Sequence, residues 1–135
     1  VVYSESQDRY ENALYAFFEL LQCVASPPDE ACTRRGNFNV AGEFWLEIQG
    51  YGGLLKRIET TPKQAEIDAI RELLATVAAV PPEASGYVEG RAQCIAQLSH
   101  PAWERPRQLA QFLLVNLRGT IAANKRYIES ERPEY

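Results

Sequence analysis

Glu43 and Glu47 are the two acidic residues whose spacing best suits acid–base chemistry. They stand four residues apart, so on a helix they are neighbours on one face, beside Phe44 and Trp45. Like charges at this spacing repel each other. A catalytic site would use that repulsion to hold a proton on one carboxyl group, and a cationic partner would relieve it. The simpler interpretation is that both carboxylates are solvated at the edge of an amphipathic helix.

Metal and nucleophile chemistry has little support in the sequence. The one histidine, His100, precedes a proline and is typical of a turn, and a single histidine cannot build the His-rich zinc or di-iron sites of helical proteins. We therefore expect no metal or organic cofactor. Of the three cysteines, Cys23 and Cys32 enclose a short Pro-Pro loop that an oxidising compartment could close with a disulfide, while Cys94 stands apart. The favoured alternative is buried free thiols in a reducing cytosol, with an exported location kept open.

Several aromatic residues do not lie on the apolar helix faces that predict the core. Trp45 lies about a quarter turn from the centre of its stripe, and Tyr87 and Trp103 occupy helix-start or loop positions. Tyrosine and tryptophan beside carboxylates are typical of protein interfaces. The sequence therefore predicts partner-binding residues at Glu43, Trp45, Glu47, Tyr87 and Trp103, with packing at the core edge as the alternative for each aromatic residue.

Apolar residues recur at helical spacing along most of the chain and predict an all-α bundle of about five helices. The predicted helices cover residues 5–25, a second segment whose apolar stripe runs from residue 44 to residue 58, and residues 62–80, 83–98 and 106–129, while residues 27–39 are predicted to form a long loop. Thr61, Pro62 and Gln64 form a helix-start signal for the third helix. The predicted core contains Leu14, Phe17, Leu21, Phe44, Ile48, Leu55, Ile70, Leu74, Leu113 and Leu117.

The second predicted helix contains Gly50, Gly52 and Gly53, and each interior glycine costs about 1 kcal/mol relative to alanine. On a continuous helix Leu46, Gly50 and Gly53 share the face opposite the apolar stripe. That face would let a neighbouring helix approach closely, within the chain or across a homodimer. The alternative is a break near residues 49–53 that yields two shorter helices.

Length and charge restrict the class of protein. The 135 residues suffice for one domain with a core, and we expect residues 1–135 to form a single all-α domain. The net charge of −4 argues against nucleic-acid partners, and no apolar run approaches the length needed to cross a membrane. The leading hypothesis is a non-enzymatic protein-binding domain, such as a bacterial inhibitor or immunity protein that blocks a basic toxin or hydrolase. The alternative is a small enzyme or ligand-binding bundle that uses Glu43, Glu47 and Tyr51 in an interhelical pocket.

Overall fold

The computed structural model describes residues 4–36, 38–54 and 63–130, which form seven α-helices and no strand, so the all-α prediction is confirmed. The helices are α1 (Glu5–Ala25), α2 (Pro28–Arg35), α3 (Val40–Gly50), α4 (Gln64–Ala78), α5 (Arg91–Leu98), α6 (Glu104–Asn116) and α7 (Arg118–Glu129). Short 3₁₀ turns cover Gly52–Leu54, Pro82–Ala84 and Pro101–Trp103. None of the helices in the described ranges is both long and apolar enough to span a bilayer.

The long helix α1 is the centre of the packing. It begins where the sequence predicts, because the Ser4 side chain caps it by accepting a hydrogen bond from the Gln7 backbone N–H at 3.0 Å. It packs against α6 and α7 on one side and against α2 and α3 on the other, while α4 packs against α3 and α6. The first and last helices are thereby neighbours in space.

The core largely follows the predicted stripes. The buried predicted residues are Leu14, Phe17, Leu21, Phe44, Ile48, Ile70, Leu113 and Leu117. Leu55 lies outside the described residues. Leu74 is only partly buried at the edge of the core, and its neighbour Leu73 is fully buried instead.

Residues 28–35 form a helix, so the predicted loop over residues 27–39 is wrong there. Pro28 occupies the first turn of α2, followed by the acidic Asp29 and Glu30, and two arginines close the last turn. Gly36, with φ 90°, ends the helix in a left-handed conformation that L side chains rarely adopt. These features stabilise both helix ends even though the segment is too short to show a repeating apolar stripe.

The remaining helix boundaries also differ from the prediction. Helix α3 ends at Gly50, so the favoured continuous helix through residues 50–53 is wrong, and the break near residues 49–53, weighed as the alternative, is observed. Helix α4 begins at Gln64, two residues after the predicted first helical residue, Pro62. Residues 83–90 are not helical beyond a short 3₁₀ turn, so only the second half of the predicted helix over residues 83–98 exists. The last predicted helix divides at Leu117 into α6 and α7.

A physical cause for the division at Leu117 lies one residue earlier. The Asn116 side-chain amide donates to the Phe112 backbone oxygen at 2.8 Å, and side-chain bonds of this kind compete with the helical backbone pattern. Gly119, a weak helix former, follows in the first turn of α7. The backbone bond from Leu117 N–H to the Leu113 oxygen, at 2.8 Å, nevertheless keeps α6 and α7 connected.

A disulfide joins Cys32 in α2 to Cys94 in α5, with their Cα atoms 6.2 Å apart. Both cysteines are buried, and Cys23 is a buried free thiol. The Cys23–Cys32 pairing considered from the sequence is therefore wrong, and so is the favoured expectation of free thiols throughout. The Arg91 guanidinium also donates to the Thr33 hydroxyl at 2.6 Å, so a polar bond reinforces the same helix pair.

Candidate functional site

Glu43 and Glu47 lie side by side on α3, and both face Arg35 at the end of α2. The Arg35 guanidinium is 2.8 Å from a Glu47 carboxylate oxygen and 4.0 Å from one of Glu43. The chain itself therefore supplies the cation that relieves the repulsion between the two carboxylates. The three side chains make an ion-pair network, which we call the Arg35 network.

Arg35 is held by more than its carboxylates. Its side chain is 21% exposed, and its guanidinium carbon lies 5.3 Å from the centre of the Phe44 ring. Burial opposes the charged form, but the Cys23 side chain together with the charge and hydrogen bond of Glu47 outweighs it and raises the pKa of Arg35. The side chain thus stays cationic while it contacts groups from α1 and α3.

Tyr51, the third residue of the predicted acid–base site, follows α3 directly. Its ring packs against Phe17 with centroids 5.1 Å apart. Burial, with a smaller contribution from the nearby Glu47 charge, raises the pKa of the Tyr51 phenol, so the phenol stays neutral at ordinary pH. Glu47 is exposed, and the Arg35 network lies at the surface between α2 and α3. These residues therefore do not lie inside an interhelical pocket of the predicted kind.

An exposed pair of aromatic rings lies near the N-terminus of α3. Phe38 and Tyr87 contact each other edge to face, with centroids 5.5 Å apart and an interplanar angle of 81°. They remain 45% and 65% exposed. The Tyr87 hydroxyl donates to the Glu89 carboxylate at 2.6 Å, which raises the pKa of Tyr87 and fixes the outer end of its ring.

The aromatic pair depends on a close approach of α3 to the loop before α5. A Cβ atom on Gly42 would lie 2.8 Å from the Asn39 side chain and 3.0 Å from the Ser85 backbone oxygen, so a larger residue here would force these neighbours to shift. Sequence reasoning identified Tyr87 and missed Phe38. Phe38 directly precedes the N-cap residue Asn39, and an apolar residue at that position often packs against an apolar residue at the fourth helical position. The fourth helical position of α3 is Glu43, so Phe38 has no such partner within α3. This pattern was the signal for Phe38 in the sequence.

The outer side of α3 faces away from the core. Leu46 is 65% exposed, and a Cβ atom on Gly50 or Gly53 would meet no other atom within 4 Å. The predicted close packing of these glycines against a helix of the same chain is therefore wrong. Packing across a homodimer through Leu46, Gly50 and Gly53 stays a prediction.

The two tryptophans differ in position. Trp45 is partly buried and packs against the core edge next to Leu46. Trp103 is 2% exposed, donates its indole N–H to the Ala84 backbone oxygen at 2.8 Å, and packs edge to face against Phe44. Its assignment to a binding surface does not fit this position, because the turn after His100 folds the indole into the core.

We call the surface made by the outer side of α3 and the aromatic pair the α3 face. It contains Phe38, Glu43, Trp45, Leu46, Glu47 and Tyr87. Within the described ranges no three His, Cys, Asp or Glu residues cluster as metal ligands would. Comparison of the chain with protein-family models, with curated proteins and with solved structures found no match.

Proposed function

We propose that the chain is a non-enzymatic protein-binding domain that uses the α3 face. The observation that carries this proposal is the exposed aromatic pair of Phe38 and Tyr87, whose rings are fixed against each other instead of being buried. Exposed aromatic residues in a fixed arrangement supply contact area without a large loss of side-chain entropy on binding. Leu46 and Trp45 extend the apolar part of the face along α3.

The charges around the α3 face favour a basic partner. Among the described residues, Glu43 and Glu47 share a single cation, Arg35, which leaves these three side chains with one excess negative charge. Glu89, hydrogen-bonded to Tyr87, adds another carboxylate at the aromatic pair. Complementary charges at an interface steer association and reject partners of like charge.

The finer hypothesis is that the partner is a toxin or hydrolase with a basic cleft, and that the chain blocks it as a bacterial inhibitor or immunity protein. Charge complementarity supports this hypothesis at the level of a class of partner. The disulfide between Cys32 and Cys94 adds an argument about location. Because such bonds persist in oxidising compartments, the disulfide supports a function in an oxidising compartment.

Affinity capture with surface variants tests the proposed function. Tyr87→Ser and Leu46→Ser remove apolar contact area from the α3 face, and Val115→Ser, at a residue 61% exposed on α6, is the matched control. We expect one protein to be captured by the wild type and the control, with affinity lowered about tenfold or more in the two α3-face variants. Circular dichroism and thermal melting of each variant establish that it is folded.

Two results would contradict the proposal. One is a captured partner whose affinity is the same for the α3-face variants and for the wild type. The other is a partner lost only in the Val115→Ser control, since that would place the binding surface on α6.

A further inference from the structure

A cleft of about 420 Å³ lies between α1 and α7, away from the α3 face. This volume falls within the range of sites for small molecules. Its lining residues are Tyr10, Glu11, Leu14, Gly119, Thr120, Ala123, Asn124 and Tyr127. Of the lining residues that the structure describes, Glu11 is the single one with a formal charge at neutral pH, so this part of the cleft is electrostatically negative.

The Glu11 side chain is positioned by a buried amide. Asn124 is 3% exposed, and its side-chain N–H₂ group donates to the Glu11 backbone oxygen at 2.9 Å and to a Glu11 carboxylate oxygen at 2.8 Å. In the described part of the chain, the hydrogen-bond partner of the Glu11 carboxylate is this neutral amide, and no cationic side chain pairs with the carboxylate. The charge of Glu11 is therefore fixed in place and, among the described side chains, has no cationic partner, which suits a cationic ligand.

The other lining groups decide which kind of cation fits. A metal site in a protein usually combines several His, Cys, Asp or Glu ligands, and among the residues that the structure describes no three of these cluster here, where Glu11 is the single carboxylate. Tyr10 and Tyr127 instead bring two aromatic rings, and Leu14 and Ala123 add apolar surface. The Tyr127 hydroxyl contacts the Asp8 carboxylate at 3.4 Å, which places a second acidic residue beside this wall. Aromatic rings together with a carboxylate are the groups that bind organic ammonium ions.

We propose that the cleft between α1 and α7 binds a small organic ammonium ion, with Glu11 as its counter-ion and Tyr10 and Tyr127 as its aromatic walls. The ammonium carbons contact the rings and the apolar residues, while the positive charge lies next to the carboxylate. This site is independent of the α3 face and of the proposed protein partner.

Titration with choline, followed by NMR of the isotope-labelled full chain, tests this site. We expect saturable shifts of the amides of residues 10–14 and 119–127, with a Kd on the order of 1 mM. The uncharged isostere 3,3-dimethylbutan-1-ol separates charge recognition from simple apolar contact, and sodium chloride at the same concentration controls for ionic strength. Choline should bind at least about fivefold more tightly than the isostere.

Variants assign the recognition to individual residues. Glu11→Gln keeps an oxygen for Asn124 and removes the charge, so it should weaken choline binding about fivefold or more, as should Tyr10→Leu. Tyr127→Phe keeps the ring and should bind as the wild type does. Glu19→Gln, at an exposed residue further along α1, is the control for overall charge and should also leave binding unchanged.

Three results would overturn the proposal. They are the absence of saturable shifts with choline at ten times the expected Kd, equal binding of the isostere, and equal loss in Glu11→Gln and Glu19→Gln. Thermal melting of each variant separates loss of the site from loss of the fold.

Discussion

Arg35 joins two helices, since it lies at the end of α2 and pairs with Glu47 on α3, and the Cys23 side chain on α1 is among the groups that raise its pKa. Removing a partly buried charge leaves its partners unsatisfied. Its chain neighbour Arg34 has a different environment, because it is 44% exposed and pairs with Glu30 at 3.4 Å within the same helix. Of these two adjacent arginines, Arg35 links different helices, whereas the ion pair of Arg34 lies within α2.

We expect Arg35→Ala to lower the free energy of unfolding by about 1–3 kcal/mol. The matched control, Arg34→Ala, should change it by less than about 0.5 kcal/mol, as is usual for exposed pairs within a helix. Urea denaturation followed by circular dichroism measures both. Equal effects of the two substitutions would show that the Arg35 network contributes no more than a surface ion pair.

Leu73 and Leu74 show where periodicity stops being informative. Both fit a helical stripe that includes Ile70 and Val77, and the sequence prediction selected Leu74, whereas Leu73 is the fully buried one. The choice depends on α4 packing between α3 and α6, which a repeat within one helix does not contain. Periodicity therefore identifies the helix more reliably than the individual core residue.

The two leucines make a direct test of the packing. Leu73→Ala should cost about 2–5 kcal/mol because it leaves a cavity in a closed part of the core. Leu74→Ala, at a partly buried position, should cost less than half as much. Denaturant unfolding of both variants gives the comparison, and a larger loss for Leu74→Ala would mean that α4 is rotated so that Leu74, and not Leu73, faces the core.

At the scale of whole helices, capping signals and apolar periodicity carry different information. The long helix α1 has both signals, and its bounds are predicted correctly. Helix α2 has eight residues, too few for a repeat, and only its proline, acidic first turn, basic last turn and Gly36 mark it. These signals at the two helix ends are sufficient to predict α2.

The glycines of α3 and of the 3₁₀ turn after it should not all respond to substitution in the same direction. Gly50→Ala should raise the free energy of unfolding by several tenths to about 1 kcal/mol, because the new methyl group meets open space and alanine favours the helix. Gly42→Ala should lower it, since the methyl group would crowd the Ser85 backbone oxygen. Gly53→Leu should be tolerated. Thermal melting measures all three, and a loss in Gly50→Ala would indicate that a homodimer covers this face.

A bidentate ion pair between α4 and α6 makes part of the stability depend on pH. The Arg105 guanidinium donates to both Glu72 carboxylate oxygens, at 2.5 and 2.8 Å, and these bonds lower the pKa of Glu72 despite an opposing contribution from burial. A carboxyl group whose pKa is lower in the folded state stabilises the fold above its unfolded pKa and loses this effect as the pH falls through the folded pKa.

We therefore expect Glu72→Gln to be less stable than the wild type at neutral pH. The difference should shrink as the pH falls below the ordinary glutamate range, near 4.3. Melting temperatures from pH 7 to pH 3 measure it, with Glu104→Gln as the control for overall charge. A difference that persists unchanged at pH 3 would assign the loss to packing.

For the molecule as a whole, the covalent link between α2 and α5 is the feature that sequence reasoning had the least means to find. Three cysteines allow three single pairings, and the observed one joins residues separated by 62 positions. Only the tertiary contact of α2 with α5 brings them together. Tertiary packing also decides the α3 face. Phe38 and Tyr87, which are far apart in the sequence, contact each other there, whereas Trp103 is buried in the core.

Opening the disulfide should be costly. A bridge that closes a loop of 62 residues restricts the unfolded chain by about 4 kcal/mol in the chain-entropy account. The Cys32→Ala, Cys94→Ala double variant should lose stability of that order in urea unfolding, whereas Cys23→Ala should lose less. Alkylation of the unfolded chain should modify one thiol before reduction and three after it. Three reactive thiols in protein from an oxidising compartment would contradict the pairing.

The position of this bridge relative to the chain ends also determines how the molecule yields to mechanical force. Helices α1, α6 and α7 lie outside the bridged loop and α3 and α4 lie inside it, while α1 packs against α6 and α7. Tension applied at the two ends would first shear the outer helices apart and would leave the bridged segment unextended. Because 62 residues separate the cysteines, the reduced chain should reach a contour about 210 Å longer than the oxidised chain.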